Sequence, residues 1–319
     1  MIRRACVMSL TVALCAAVPC VAAGPVHHQL QVQIQPDAHT LQVLDRVSFR
    51  HAVSADENGA YRVLLHAGLS PRVVTPGWRF ERLEDPVEAG FFGINATTET
   101  VSKNVPLEAY VLTPRENAEE PVEFVYGGEI HHPLATQGEE YQRSFSETPG
   151  IIDSQGVFLA GTSFWVPTFG DGLLTFDLEV SSMQPPWNAV SQGRRSQHEI
   201  LADGSRLTRW KLEHPTEEIY LVAGPWNEYT RQADEVEVFV FLRDDDPSLA
   251  QRYLDATARY LVLYEGMLPP YPYASFALVE NFWETGYGMP GFTLLGPRVI
   301  RFPWILTSSY PHELLHNWW

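Results

Sequence analysis

Alternating hydrophobic and polar residues are the dominant pattern between about residues 28 and 230. Leu30, Val32 and Ile34 alternate with glutamines, and residues 41–49 repeat the pattern after a turn. A period of two places every second side chain on a buried sheet face. Further strands are predicted at residues 61–65, 108–112, 122–126, 173–180, 207–212 and 218–222. Many short strands separated by turn residues predict an all-β sandwich or saddle.

The pattern changes near residue 231. A strand is predicted at 236–242, and the acidic run before Pro247 is typical of a helix start. Apolar residues then recur at helical spacing up to Gly266: Leu249, Tyr253, Ala256, Tyr260, Leu261 and Tyr264. We therefore expect a β domain over 24–230 and a second domain over 231–319.

The second domain contains three more predicted elements. Residues 276–279 form a short apolar strand, and residues 286–291 are predicted to be an irregular loop. Ser308 or Ser309 could cap a final helix, with Pro311 in its first turn.

The N-terminus has the features of an export signal. Arg3 and Arg4 precede an apolar run over 7–18, and the small residues at 21–23 form a plausible cleavage site. We expect residues 1–23 to be removed, leaving a secreted or periplasmic protein with no stable membrane span. All three cysteines (Cys6, Cys15 and Cys20) lie in this segment, so the mature chain would have no disulfide framework.

The net charge of -17 and the pI near 5.0 narrow the range of partners. An acidic surface disfavours nucleic acids and anionic membranes, because their phosphates carry the same sign of charge. A substrate is less constrained, since a local site can differ in sign from the whole protein.

The segment His312-Glu313-Leu314-Leu315-His316 carries the clearest chemistry. Two histidines four residues apart share one face of a helix, so both imidazoles can reach one Zn²⁺ ion. The glutamate beside the first histidine can act as a general base. The alternative interpretation is an amphipathic helix with incidental histidines. A catalytic zinc site also needs a third protein ligand.

Two other pairs of histidines stand outside this motif, His27-His28 and His131-His132. A metal role would need further ligands that the sequence does not show. We therefore predict that they are loop or strand-end histidines.

The residues Asn317-Trp318-Trp319 directly after the motif resemble the zinc-binding helix of the membrane alanine aminopeptidase family of gluzincin metallopeptidases. Upstream segments are similar to that family in order and spacing: Phe-Trp-Val-Pro-Thr-Phe at 164–169, Thr-Phe-Asp-Leu at 175–178, Ala-Val-Ser-Gln-Gly at 189–193, Tyr-Leu-Val-Ala-Gly at 220–224 and Tyr-Pro-Tyr at 271–273.

The resemblance implies a saddle-shaped β domain followed by a thermolysin-like α/β catalytic domain that acts on peptides or proteins. His312 and His316 would be ligands of Zn²⁺, and Glu313 would be the general base. The family's third ligand, a glutamate, and its oxyanion-binding tyrosine follow on later helices. We therefore expect the chain to be an N-terminal fragment. Reading the coding sequence beyond residue 319 is the direct test of this expectation.

One departure from the family concerns substrate recognition. The family has Gly-x-Met-Glu-Asn on the strand beside the active site, where the glutamate binds the free amino group of the substrate. Here Pro290 occupies the glutamate position. Two upstream acids could compensate or could be ordinary acids, and the loop backbone could line the cleft. The candidate substrate-binding residues are Gly288, Met289, Pro290, Gly291, Glu280 and Glu284.

The altered loop also keeps a second hypothesis open. The protein could be a non-catalytic, exported, β-rich binding or scaffolding protein that retains a peptidase-like architecture. Zinc-dependent peptidase chemistry is the leading hypothesis, and aminopeptidase specificity is a further step that depends on the missing glutamate.

Overall fold

A computed structural model describes residues 26–49, 59–84, 105–136, 146–170 and 172–318. The predicted signal peptide at 1–23 and residue Trp319 lie outside these ranges. The described chain is mainly β, as the alternating pattern predicts. No helix in it is both long and apolar enough to cross a membrane.

The strands are numbered along the chain. Those of the first part are β1 Val26–Gln35, β2 Thr40–Ser48, β3 Tyr61–His66, β4 Arg72–Val73, β5 Trp78–Arg82, β6 Leu107–Pro114, β7 Val122–Glu129, β8 Ala135–Thr136, β9 Ser146–Glu147, β10 Gly150–Asp153, β11 Gly156–Leu159, β12 Leu174–Met183, β13 Trp187–Val190, β14 Arg194–Ile200, β15 Arg206–Thr216 and β16 Leu221–Pro225.

The remaining elements form the second part. They are β17 Asn227–Ala233, β18 Val236–Leu242, helix α1 Pro247–Glu265, β19 Ser275–Glu280, β20 Gly286–Met289, β21 Phe292–Leu295 and helix α2 Ser309–Leu315. A short 3-10 helix, His316–Trp318, directly follows α2.

The largest sheet has the order β14-β15-β12-β1-β2-β7-β4. Its strand β1 pairs antiparallel with β2 and parallel with β12. The predicted alternation is confirmed there, because Leu30, Val32 and Ile34 are buried while the intervening glutamines are exposed. Smaller sheets with the orders β10-β11-β16-β13, β3-β6-β5 and β8-β9 complete the described β-rich part.

The second part is built on a sheet with the order β17-β18-β19-β21-β20. Strands β18, β19 and β21 are parallel neighbours, and α1 forms the crossover between β18 and β19. A parallel pair needs such a long connection, because a tight turn can only join antiparallel strands. The helix begins where the acidic run predicts, with the Asp246 side chain accepting a hydrogen bond from Leu249 N at 2.9 Å.

Both faces of this sheet are buried, which is why its central strands are almost wholly apolar. On one face, Val238 and Val240 of β18 pack in a core with α1 and α2. On the other face, Phe239 and Phe241 join the core of the β-rich part. The two parts of the chain therefore share a continuous hydrophobic core.

Three details differ from the sequence-based predictions. Residues 286–291 are not an irregular loop, since β20 pairs with β21 in a hairpin whose turn contains Gly291 at φ +82°. The strand predicted at 218–222 begins only at Leu221. The Ser308 hydroxyl donates to Trp304 O at 3.0 Å and makes no capping bond to α2. The proposed division after residue 230 falls within β17, and the domain boundaries stay a prediction.

Removal of the α1 cap should be measurable. We expect Asp246→Ala to lower the free energy of unfolding by about 1 kcal/mol, because a backbone N–H at the helix start loses its acceptor. Asp244→Ala is the matched control, since the Asp244 side chain is 84% exposed and its ion pair with Arg301 is long, at 3.4 Å. It should change stability by less than about 0.5 kcal/mol. Equal losses in urea unfolding would contradict the capping role.

Candidate metal centre

The zinc-type motif lies on α2 and on the short 3-10 helix that continues it. Tyr310 and Leu314 are fully buried and attach this helix to the core that also contains Val238, Val240 and the apolar face of α1. His312 and His316 lie at exposed positions, and Glu313 is half-buried. The helix thus buries one face and presents both imidazoles on the other, as the spacing predicts.

The two imidazoles have the geometry of a shared metal ligand pair. The Nε2 atoms of His312 and His316 are 3.2 Å apart, and the ring planes are 78° apart. Two nitrogens at the usual zinc–nitrogen distance in a tetrahedral site are about 3.3 Å apart. The separation of the donor atoms therefore fits one Zn²⁺ ion. Within the described ranges, no third histidine, cysteine, aspartate or glutamate joins this pair in a three-ligand group.

Strand β20 lies directly against the motif. A Cβ atom at Gly288 would be 2.7 Å from Glu313 Oε2 and 3.1 Å from His316 Cδ2. Because β20 is an edge strand of its sheet, the candidate general base lies beside an edge of backbone. The structure thus brings Gly288 together with Glu313 and His316 of the motif.

Asn317 holds the motif against this hairpin. Its buried side-chain Oδ1 accepts from Gly291 N at 2.7 Å and from the Tyr271 hydroxyl at 3.1 Å, while its Nδ2 donates to Leu314 O at 2.8 Å. Burial raises the pKa of Tyr271 well above its usual range, so that hydroxyl stays a donor. The sequence shows Asn317 only as part of the family-like context, and its role as an anchor is not visible there.

The β-rich part supports the same hairpin from the other side. The Ser275 hydroxyl at the start of β19 donates to Gly193 O at 2.6 Å, and Gly291 lies close to Gly193 N. Gly193 has φ +89°, and a Cβ there would be 2.2 Å from Lys211 O, so only glycine fits. The Ala-Val-Ser-Gln-Gly segment at 189–193 therefore ends in a turn that contacts the β20–β21 hairpin.

Glu280 lies in the core with its carboxylate paired to protein donors. It is 1% exposed, and its carboxylate is bonded by the Arg301 guanidinium and by Arg243 N, the latter at 2.8 Å. Both carboxylate oxygens therefore have protein donors. This arrangement explains an acid inside the core, because a buried charge needs a partner. The substrate role of Glu280 stays a prediction.

The other candidate substrate-binding residues differ in their burial and in their hydrogen bonds. Glu284 Oε1 accepts from Arg298 Nε at 2.8 Å, and its Oε2 is buried without a hydrogen-bond partner in the described part of the chain. Met289 is buried in the shared core, so only its backbone belongs to the edge. Pro290 and Gly291 form the turn of the hairpin. Their substrate roles also stay predictions.

No protein-family model and no curated protein matches the sequence. Solved structures do match. The crystal structure of an M1 zinc metallopeptidase from Deinococcus radiodurans aligns with a TM-score of 0.57 and 16% identity, covering 93% of this chain and 63% of that chain. A mutant M1 zinc metallopeptidase from the same organism, bound to a Tyr-Ser-Ala substrate, aligns with a TM-score of 0.55 and 15% identity, covering 93% and 64%.

This likeness confirms the predicted fold class, because the chain is mainly β and matches the fold of these structures over 93% of its length. At such low identity the likeness concerns the fold. The chain spans less than two-thirds of the length of these structures.

Contact between β20 and the motif can be tested with two glycines of one strand. We expect Gly288→Ala to lower the free energy of unfolding by about 1–3 kcal/mol, because the added methyl group meets Glu313 and His316. Gly286→Ala is the matched control, since a Cβ there meets nothing within 4 Å. Its effect should stay within about 0.5 kcal/mol. Equal stability of the two variants in chemical unfolding would show that β20 does not lie against the motif.

The anchoring role of Asn317 predicts a larger loss than a peripheral asparagine. Asn317→Ala should lower the free energy of unfolding by about 1–3 kcal/mol, because the buried Gly291 N–H loses its acceptor and the Tyr271 hydroxyl keeps only the longer bond to Ser275 O at 3.3 Å. Asn227→Ala is the control, since its amide donates only at 3.3 Å and 3.5 Å to two carbonyls. Unfolding in urea measures both. A loss for Asn317→Ala no greater than the control would contradict the anchor.

Proposed function

We propose that this protein is a zinc-dependent, aminopeptidase-like metallopeptidase. The observation that carries the proposal is the 3.2 Å separation of the His312 and His316 Nε2 atoms, with Glu313 between them in the helix and the β20 edge against Glu313 and His316. These are the parts that a metal-assisted attack on a peptide bond needs in one place. A third zinc ligand would come from a residue outside the described ranges, as the family resemblance implies.

Each residue of the motif has a distinct task in this proposal. His312 and His316 would hold Zn²⁺ through Nε2. When bound, Zn²⁺ makes a water molecule more acidic and polarises the peptide carbonyl. Glu313 takes a proton from the attacking water and delivers it to the amine that leaves. Its half-buried position beside Gly288 limits the directions in which the carboxylate can point.

An extended peptide would bind along β20. Edge strands offer backbone donors and acceptors to a further strand, and side-chain pockets then select the sequence. The M1 zinc metallopeptidase mutant whose structure holds a Tyr-Ser-Ala substrate supports a peptide as the ligand class. Pro290 in the turn has no carboxylate, so binding of a free substrate amino group would fall to another acid. Glu284 is the better candidate, because its Oε2 has no hydrogen-bond partner among the described residues, whereas both carboxylate oxygens of Glu280 have donors.

We also propose that the protein acts outside the cytoplasm. The argument is the charged, apolar and small-residue order of residues 1–23, together with the absence of cysteine from the rest of the chain. N-terminal sequencing of the mature protein from culture fractions tests this. Processing after Ala23 supports export, and an intact N-terminus in the cytoplasm contradicts it.

The catalytic proposal predicts a specific effect of one substitution. In the full-length protein, Glu313→Gln should reduce peptide hydrolysis by at least about 10³-fold, because the amide cannot accept the proton. Zinc content should be unchanged, since both histidines remain. Glu235→Gln, at an exposed turn, is the matched control and should keep full activity.

Wild-type-like hydrolysis by Glu313→Gln would contradict the proposed base. The second hypothesis, a non-catalytic binding or scaffolding protein, is supported by the replaced glutamate at Pro290. It predicts that the wild-type protein binds peptides but hydrolyses none in a broad panel. That result would replace the peptidase proposal.

A further inference from the structure

We propose a second metal site in the β-rich part of the protein, formed by His39, His131 and Asp153 and suited to Zn²⁺ or a related divalent transition metal. One ligand atom from each side chain lies within 4.8 Å of the other two, and all three side chains are half-buried. Two imidazoles and a carboxylate are a donor set that zinc sites use.

Hydrogen bonds already orient both imidazoles. His39 Nδ1 is 2.7 Å and His131 Nδ1 is 3.2 Å from the same acceptor, the Ile152 carbonyl oxygen. A carbonyl can only accept, so these contacts place the hydrogen on Nδ1 and the lone pair on Nε2. Metal-binding histidines characteristically donate their second nitrogen to a carbonyl or a carboxylate in this way.

The backbone holds the three ligands on connected segments. His39 follows a short 3-10 helix between β1 and β2, His131 follows β7, and Asp153 ends β10. Ile130 N donates to His39 O at 3.1 Å, and Ile152 N donates to Ile130 O at 2.9 Å. A site built on such a ladder needs little ordering when the ion binds, which favours affinity.

Asp153 is also fixed before any ion arrives. Its Oδ1 accepts from Gln155 N at 2.9 Å in the turn between β10 and β11. The second carboxylate oxygen remains for a metal. The carboxylate supplies the negative charge that two neutral imidazoles lack, which favours a divalent cation.

The neighbouring histidine shows why this set is distinct. His132 pairs instead with His66, with their Nε2 atoms 2.9 Å apart. His66 Nδ1 accepts from Gly68 N at 3.0 Å, so its hydrogen lies on Nε2 and is donated to His132. Burial lowers the pKa of His66 to about 4, which keeps that pair uncharged. The Nε2 atoms of His66 and His132 therefore bond to each other, whereas the Nδ1 atoms of His39 and His131 face one carbonyl oxygen.

A metal at this site would tie the β1–β2 turn to β10. Strand β10 belongs to the sheet with the order β10-β11-β16-β13. Strand β13 leads into the turn at Gly193, which contacts the β20–β21 hairpin. The ion would therefore act as a structural clip rather than as part of the motif on α2.

The test uses the full chain in which His312→Gln and His316→Gln remove the first candidate site. We expect about one Co²⁺ per chain in a titration followed by visible absorption of the bound ion, and competition by Zn²⁺. His131→Gln and Asp153→Asn should each weaken Co²⁺ binding at least about tenfold. His214→Gln, an exposed histidine, is the control and should leave binding unchanged.

The nearly isosteric Asp153→Asn keeps the test decisive if a histidine variant fails to fold, which circular dichroism would reveal. Absence of stoichiometric binding, or equal binding by Asp153→Asn and the parent, would overturn the second site. The peptidase proposal is independent of this result, because it depends on His312, Glu313 and His316.

Discussion

The candidate site depends on the hydrogen bonds of the Asn317 side-chain amide. It accepts from Gly291 N and the Tyr271 hydroxyl and donates to Leu314 O, all within the core. A buried amide is stable only when such partners are supplied. These bonds join the end of the zinc-type helix to the edge hairpin, which is why Glu313 lies beside Gly288.

The β-rich part is the support of that arrangement. One face of the second sheet packs into its core through Phe239 and Phe241, and the Gly193 turn contacts both β19 and the hairpin. An edge strand alone is easily displaced, since it is hydrogen-bonded on one side. Burial against a rigid β scaffold keeps β20 in register with the helix that carries the motif.

Sequence-based prediction was most successful where the pattern is local. The strand at β18 and the helix α1 follow from their apolar period, and the histidine spacing on α2 follows from helical geometry. It missed β20, because a glycine-rich edge strand with a buried methionine has no alternating pattern. The pairing of Glu280 with Arg301 was also not visible, since an isolated glutamate in sequence gives no indication of its partner.

The sequence by itself determined the class of elements, their order and the paired imidazoles of His312 and His316, because each follows from a side-chain period that repeats within a few residues. Only the tertiary structure decided which distant residues meet. His131 had no visible partners in sequence, yet the sheet order brings His39 and Asp153 to it. The reason is physical: a side-chain period fixes which face is buried, while strand order and register depend on packing across the whole core.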